Sequence, residues 1–78
     1  MTGLPGLRVR VVVKRLRKLG FEKVRQKGGH AIFHHADCRR TTLPIHPNEE
    51  LSPYFISDVL KQILIPEETF LKAIGHKR

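Results

Sequence analysis

Apolar positions near the start of the chain repeat with the period of an α-helix. They share one helix face through the spacing i, i+3, i+4, i+7: Val9, Val12, Val13 and Leu16. Gly20 follows them where a helix-ending glycine is expected. This pattern predicts a first helix over about residues 7–19. Its polar side would be basic, formed by Arg10, Lys14, Arg17 and Lys18.

After Gly20 the apolar period changes to that of β-strands. Three strands separated by tight turns are predicted, at Phe21–Gln26, His30–His35 and Arg40–His46. Alternation along the second strand places His30, Ile32 and His34 on one face and Ala31, Phe33 and His35 on the other. In the third strand Thr41, Leu43 and Ile45 share a face. Pro44 cannot donate to a strand ladder, which indicates an edge strand or an outward position.

The last third of the chain is predicted to be helical. Ser52 followed by Pro53 is a helix-start signal after a loop at residues 47–51, and helix 2 is predicted over about 53–64. A short final helix opens at Pro66. Its apolar side would be Phe70, Leu71 and Ile74, and Gly75 would end it.

This order predicts an α+β fold, α-β-β-β-α with a short C-terminal helix. Two helices would cover one face of a three-stranded antiparallel sheet, which is the arrangement of double-stranded-RNA-binding domains (dsRBD-like). With 78 residues, we expect one domain over 1–78 with a thin core. Its size excludes large cofactor-binding folds, kinases and barrels.

The sequence also indicates the cellular setting. The single cysteine, Cys38, excludes an internal disulfide framework and a cysteine-based zinc finger, and it favours a reducing compartment. No apolar run has the length of a membrane span or a signal-peptide core. We therefore expect a cytoplasmic protein without a membrane partner.

Charge is distributed unevenly along the chain. The net charge is +8, and residues 1–27 alone hold nine basic residues and one acidic residue. A one-sided positive field of this kind attracts polyanions, of which RNA and DNA are the commonest in a cytoplasm. Alternatively, the basic residues form only a solvated surface that keeps a small protein soluble.

His30 is the main candidate for chemistry. It follows a Gly28-Gly29 turn, where a phosphate can approach the backbone closely. RNA carries its own nucleophile, the 2′-hydroxyl, so cleavage needs an acid or base and positive charge near the phosphate. Lys23, Arg25 and Lys27 are close enough in sequence to supply that charge. Alternatively, His30 is an ordinary strand histidine with a satisfied hydrogen bond.

The other candidate groups are weaker candidates for catalysis or metal binding. His30 and His34 would lie about 13 Å apart on a strand, too far to share a metal ion. Glu49 and Glu50 do not form the convergent carboxylate set that two-metal nucleases need. A lone exposed Cys38 is usually incidental. His46 ends the third strand and is either a second acid or base or a residue that holds the following loop.

Four segments resemble the HicA toxin family of bacterial HicA–HicB toxin–antitoxin systems. They are Leu16-Arg-Lys-Leu-Gly-Phe21, Val24-Arg-Gln-Lys-Gly-Gly-His30, Leu43-Pro-Ile-His46 and Leu60-Lys-Gln-Ile63. The resemblance covers about residues 4–72. It implies a dsRBD-like fold, RNA cleavage without a metal or other cofactor, and inhibition by a HicB-like antitoxin. It also implies that the histidine of a Gly-Ser-His motif, here His30, is catalytic, with Gly29 in place of the serine.

The sequence thus leaves two hypotheses for the function of the protein. The first is an mRNA endonuclease (mRNA interferase) with His30 as general acid or base and His46 as a possible second group. Its RNA-binding residues would be Lys14, Arg17, Lys18, Lys23, Arg25, Lys27, Gly28 and Gly29. The second is a non-catalytic module that binds double-stranded RNA. The start of helix 2 lacks the basic cluster that such modules carry, which favours the endonuclease.

Overall fold

The structure is a computed structural model that describes residues 4–72 of the chain. Eight elements follow one another: β1 Leu7–Arg8, α1 Val9–Lys18, β2 Phe21–Lys27, β3 His30–His35, β4 Arg40–Pro44, β5 Glu50–Leu51, α2 Pro53–Gln62 and α3 Glu67–Lys72. The predicted contribution of Ile74 to the last helix and its end at Gly75 lie outside the described residues, as does His76.

The central sheet is an antiparallel meander in the order β2-β3-β4. This confirms the predicted three-stranded sheet of a dsRBD-like α+β fold. Pro44 closes β4, which is an edge strand as expected. The predicted alternation is confirmed as well, because Ala31, Phe33 and Leu43 are buried against the helices. We call this side of the sheet the inner face and the opposite side the outer face.

The core lies between the inner face and the three helices. Each helix contributes at least one fully buried side chain to it, and so do β2 and β4. The largest of these side chains are Phe21, Phe70, Leu16, Leu43, Ile56, Leu60, Ile63 and Val12. Helices α1 and α2 therefore cover one side of the sheet, and no other element within residues 4–72 covers its outer face.

The start of the first helix differs from the prediction. Leu7 and Arg8 pair with Leu51 and Glu50 in a small second sheet, so the helix begins at Val9 rather than at residue 7. Arg8 has extended backbone angles and supplies no capping side chain. Instead the loop at 47–49 accepts hydrogen bonds from backbone N–H groups in the first turn of the helix. Val9 N donates to Glu49 O at 2.8 Å, and Arg10 N donates to Pro47 O at 3.0 Å.

The predicted loop at 47–51 was consequently wrong at Glu50–Leu51, which form β5. The third strand ends at Pro44 rather than at His46, because only one further bond, from Ile45 N to Gly29 O at 3.0 Å, continues the pairing.

Helix α2 begins as predicted and ends two residues early. Ser52 Oγ accepts a hydrogen bond from Phe55 N at 3.1 Å, and Pro53 occupies the first helical position. The helix stops at Gln62 because Leu64 adopts a left-handed φ of +59°. Ile65 N then bonds back to Leu60 O at 3.0 Å, as in a Schellman closure. None of the helices within 4–72 has the length and apolar character needed to cross a membrane.

Candidate active site

The turn between β2 and β3 presents the candidate histidine. Gly28 has a φ of +59°, whereas Gly29 lies outside the left-handed region. A positive φ at only the first central residue is the pattern of a two-residue type II′ hairpin, which needs glycine there. A Cβ at either glycine would meet nothing within 4 Å, so the turn is open to solvent. His30 follows it as the first residue of β3.

His30 is exposed on the outer face. It lies directly opposite Lys27 on β2 and Pro44 on β4. No side chain among residues 4–72 forms a hydrogen bond with its imidazole, so the alternative of a satisfied strand histidine finds no support there. The ring is free to contact a ligand on the uncovered side of the sheet, and a lysine stands beside it.

A β-bulge divides the basic residues of β2. In a regular strand Lys23, Arg25 and Lys27 would share one face. The pairing register shifts between Lys23 and Arg25, which inserts one extra residue and reverses the alternation. Arg25 and Lys27 therefore stay on the outer face with His30, while Lys23 pairs opposite Phe33 on the inner face. Sequence proximity alone had grouped all three with His30.

The outer face is a basic surface. Arg40 lies opposite His34, which shares the face with His30 by alternation, and Thr42 lies opposite Ile32. Together with Arg25 and Lys27, Arg40 gives this face three exposed cations around the two histidines. Glu22, also opposite His34, is its one carboxylate among the paired positions of the sheet. A phosphate backbone would meet positive charge across this surface.

The basic residues of α1 belong to the other side of the molecule. Lys14 and Lys18 are exposed and lie one helical turn apart. Arg17 instead lines a groove between α1 and the inner face, where Lys23 also lies. The predicted RNA-binding residues thus form two groups: Arg25, Lys27 and the Gly28-Gly29 turn near His30, and Lys14, Arg17, Lys18 and Lys23 on the helical side.

His46 follows the segment that pairs with the hairpin. Ile45 N donates to Gly29 O, so the residue after Ile45 leaves the sheet at the end where His30 lies. His46 is exposed, and its carbonyl accepts a hydrogen bond from Glu49 N at 3.1 Å. The backbone of this residue therefore does help to hold the following loop, and its side chain is accessible for a second role.

The turn at residues 36–39 is at the opposite end of the sheet. His35 Nδ1 lies 3.0 Å from Asp37 Oδ1, and Arg39 Nε donates to both carboxylate oxygens of Asp37 at 3.0 and 2.9 Å. The hydrogen bond from Arg39 lowers the pKa of Asp37 below its ordinary value. Cys38 is exposed there with a φ of +80°. No group of three metal-ligating side chains within 4–72 could hold a metal ion.

One unusual basic residue was not singled out by the sequence pattern. Arg15 is only 5% exposed, and its Nε and one terminal nitrogen have no hydrogen-bond partner among the described residues. Its guanidinium lies 5.1 Å from the centre of the Phe70 ring on α3. Burial lowers the pKa of Arg15. Arg15 therefore contributes no accessible charge to either basic group.

Comparison with known proteins identifies the family. A family model described as the HicA toxin of bacterial toxin–antitoxin systems matches residues 9–65. This span contains α1, the three-stranded sheet, α2 and the hairpin that carries His30. No curated protein matches the sequence significantly. The chain belongs to the HicA toxin family, which confirms the resemblance seen in the sequence. It is thus the toxin of a toxin–antitoxin system, and the family implies an antitoxin partner.

Proposed function

We propose that the protein is a metal-independent RNA endonuclease in which His30 acts as general acid or base. The observation that carries this proposal is the placement of His30, which is exposed and directly opposite Lys27, and whose imidazole has no hydrogen-bond partner among residues 4–72. A histidine used only for structure would be expected to pack or to be hydrogen-bonded. This one is available to substrate on a basic surface.

The chemistry needs only groups that this surface has. A base removes the proton of a 2′-hydroxyl, and the 2′-oxygen attacks the adjacent phosphorus. The bond from phosphorus to the 5′-oxygen breaks, an acid gives that oxygen a proton, and a 2′,3′-cyclic phosphate remains. His30 performs one of the two proton transfers. The exposed His46, which leaves the sheet at the same end, is the candidate for the other.

Positive charge stabilises the phosphate as negative charge develops on its oxygens. Lys27 is the cation nearest to His30 in the register, and Arg25 follows two residues back along β2 on the same face. The Gly28-Gly29 turn leaves open space beside them, so a sugar-phosphate backbone can approach without meeting a side chain. Removal of the charge at Lys27 should therefore slow cleavage more than removal at a distant lysine.

The partner is proposed to be a HicB-like antitoxin that covers the outer face. An acidic surface would complement the cations of that face and exclude RNA from His30. The toxin and its partner should then form a tight complex that does not cleave RNA. Continued cleavage by the saturated complex would contradict inhibition by occlusion.

The experiment uses the purified toxin, single-stranded RNA and a chelator in place of divalent ions. We expect shortened products that end in a 2′,3′-cyclic phosphate, and no cleavage of a strand with 2′-deoxy sugars. Retarded but intact RNA would instead identify the non-catalytic module for double-stranded RNA. Cleavage of the 2′-deoxy strand would contradict the use of the 2′-hydroxyl.

A further inference from the structure

A groove of about 240 Å³ lies between α1 and the inner face of the sheet. The residues that form its floor and walls are apolar, and several of these residues belong to the core. They are Val9, Val13, Ala31, Phe33, Pro44, Ile45 and Pro47. Four polar side chains form its rim: Arg10, Arg17, Lys23 and Gln26. The groove belongs to the helical side of the molecule and has no part in the proton transfers proposed for His30.

The rim offers hydrogen-bond donors and few acceptors. Arginine and lysine side chains have donors only. Among the described residues that line the groove, the one side-chain acceptor is the amide oxygen of Gln26, and it already accepts a hydrogen bond from Lys23 Nζ at 3.2 Å. Because that oxygen is occupied, Gln26 offers a ligand chiefly the donors of its amide nitrogen. A ligand of this groove should present an apolar body and an edge rich in acceptors.

The groove opens at the same end of the sheet as His30. Gln26 lies opposite Ala31, the residue after His30, and Pro44 lies opposite His30 itself. The groove and the candidate catalytic histidine are therefore separated by the thickness of the sheet at its hairpin end. A single strand of RNA that passes around this end would reach both places.

We propose that the groove binds one unpaired nucleobase of the RNA substrate through an edge with two acceptors, and so sets where the strand is cut. Guanine fits this description, since its O6 and N7 are adjacent acceptors that arginine contacts well, whereas adenine places an amino donor beside N7. The flat apolar body of a base suits the floor, and proteins commonly read RNA through bases that are turned out of the stack. This inference rests on the proposed function for its substrate.

The size and charge of the groove favour this occupant over others. It is smaller than the sites of about 300–1,000 Å³ that hold drug-sized ligands, so it suits a single ring system. The rim cations would meet the phosphates on either side of the bound base. A base within a duplex cannot enter, and the groove therefore also favours single-stranded RNA.

The test measures binding without cleavage. Three 2′-deoxy oligonucleotides of seven nucleotides have uracil as their base except at the central position, which carries guanine, adenine or an abasic site. Fluorescence anisotropy measures the affinity of the protein for each strand. We expect guanine to bind about tenfold more tightly than adenine, as one well-placed pair of hydrogen bonds discriminates by roughly this much, and the abasic strand to bind most weakly. Equal affinity for all three strands would overturn the proposal.

Two variants locate the effect. The exposed Arg17→Gln should bring the guanine-to-adenine ratio close to one, because it removes a guanidinium at the rim of the groove that can donate to both O6 and N7. The matched control Lys18→Gln, an exposed position of α1 outside the groove, should weaken all three strands equally. A ratio that Arg17→Gln leaves unchanged would also contradict the proposal.

The outcome is separable from that of the proposed function. If guanine is preferred but the toxin cleaves no RNA, the groove stands and the endonuclease assignment fails. If the toxin cleaves RNA without base preference in binding or in cleavage position, the endonuclease assignment stands and the groove proposal fails.

Discussion

Replacing Gly29 with serine tests the description of the hairpin that carries His30. Gly29 has no left-handed φ, and a Cβ there would meet nothing within 4 Å. Replacing a glycine in such a conformation restricts mainly the unfolded chain, which stabilises a protein by about 0.4–1 kcal/mol. Serine is also common at the second position of a type II′ turn that begins with glycine. We expect Gly29→Ser to fold with equal or slightly higher stability.

The adjacent glycine gives a matched control. Gly28→Ser makes the same chemical change at a φ of +59°, where a side chain costs about 1–2 kcal/mol. For a domain of this size that loss lowers Tm by roughly 4–16 °C. Urea unfolding and thermal melts of both variants measure the difference. Equal losses at both positions, or a larger loss in Gly29→Ser, would refute the assigned turn.

The same variant also has a functional outcome. The new hydroxyl would stand beside His30, where it can donate a hydrogen bond to a bound phosphate. A neutral hydrogen bond is worth about 0.5–1.5 kcal/mol, so cleavage should become about 2-fold to 13-fold faster. An unchanged rate in a folded Gly29→Ser variant would show that the hydroxyl does not assist cleavage.

Three further predictions concern stability, and urea unfolding measures each of them. Gly20→Ala should lower the free energy of unfolding by about 2–5 kcal/mol, because φ is +98° and the new Cβ would lie 2.7 Å from His35 Nε2; a loss below about 1 kcal/mol would contradict this packing. Arg15→Met should raise the free energy of unfolding by about 1 kcal/mol, since it replaces a buried charge that has few partners with an apolar chain; a clear loss would show that the guanidinium is well satisfied. The pKa of Asp37 is lower in the folded protein than in the unfolded chain. The ionised carboxylate of Asp37 therefore stabilises the fold at pH values above its pKa in the unfolded chain, and this contribution is lost as the pH falls through its pKa in the folded protein. Asp37→Asn should therefore flatten the loss of stability below about pH 4, and an acid profile identical to that of the parent would contradict the Arg39 contact.

Much of the fold follows from local signals in the sequence. The apolar period of α1, the glycine at position 20 and the Ser52-Pro53 start of α2 act over a few residues, and the structure confirms each of them. The pairing of Leu7–Arg8 with Glu50–Leu51 was missed because each strand has only two residues and the partners are far apart in sequence. No local pattern marks so short a pairing.

The candidate site was predicted in part. The glycine turn and His30 were visible in the sequence, and the structure places them at an open hairpin. The bulge between Lys23 and Arg25 was not visible, because it depends on the register of β2 against β3 rather than on residue type. Because of this bulge, Lys23 lies in the groove on the helical side. The burial of Arg15 likewise depends on contact with α3.

The most direct test of the account is the single-turnover rate of RNA cleavage, in the presence of a chelator, for His30→Ala beside His34→Ala. Both histidines lie on β3 and on its outer face, so His34→Ala controls for loss of an imidazole from the same surface. Circular dichroism establishes that both variants are folded. We expect His30→Ala to reduce the rate by at least about 100-fold, the usual contribution of a general acid or base, and His34→Ala to change it only a few-fold. Cleavage by folded His30→Ala at the parent rate would contradict the assignment of His30.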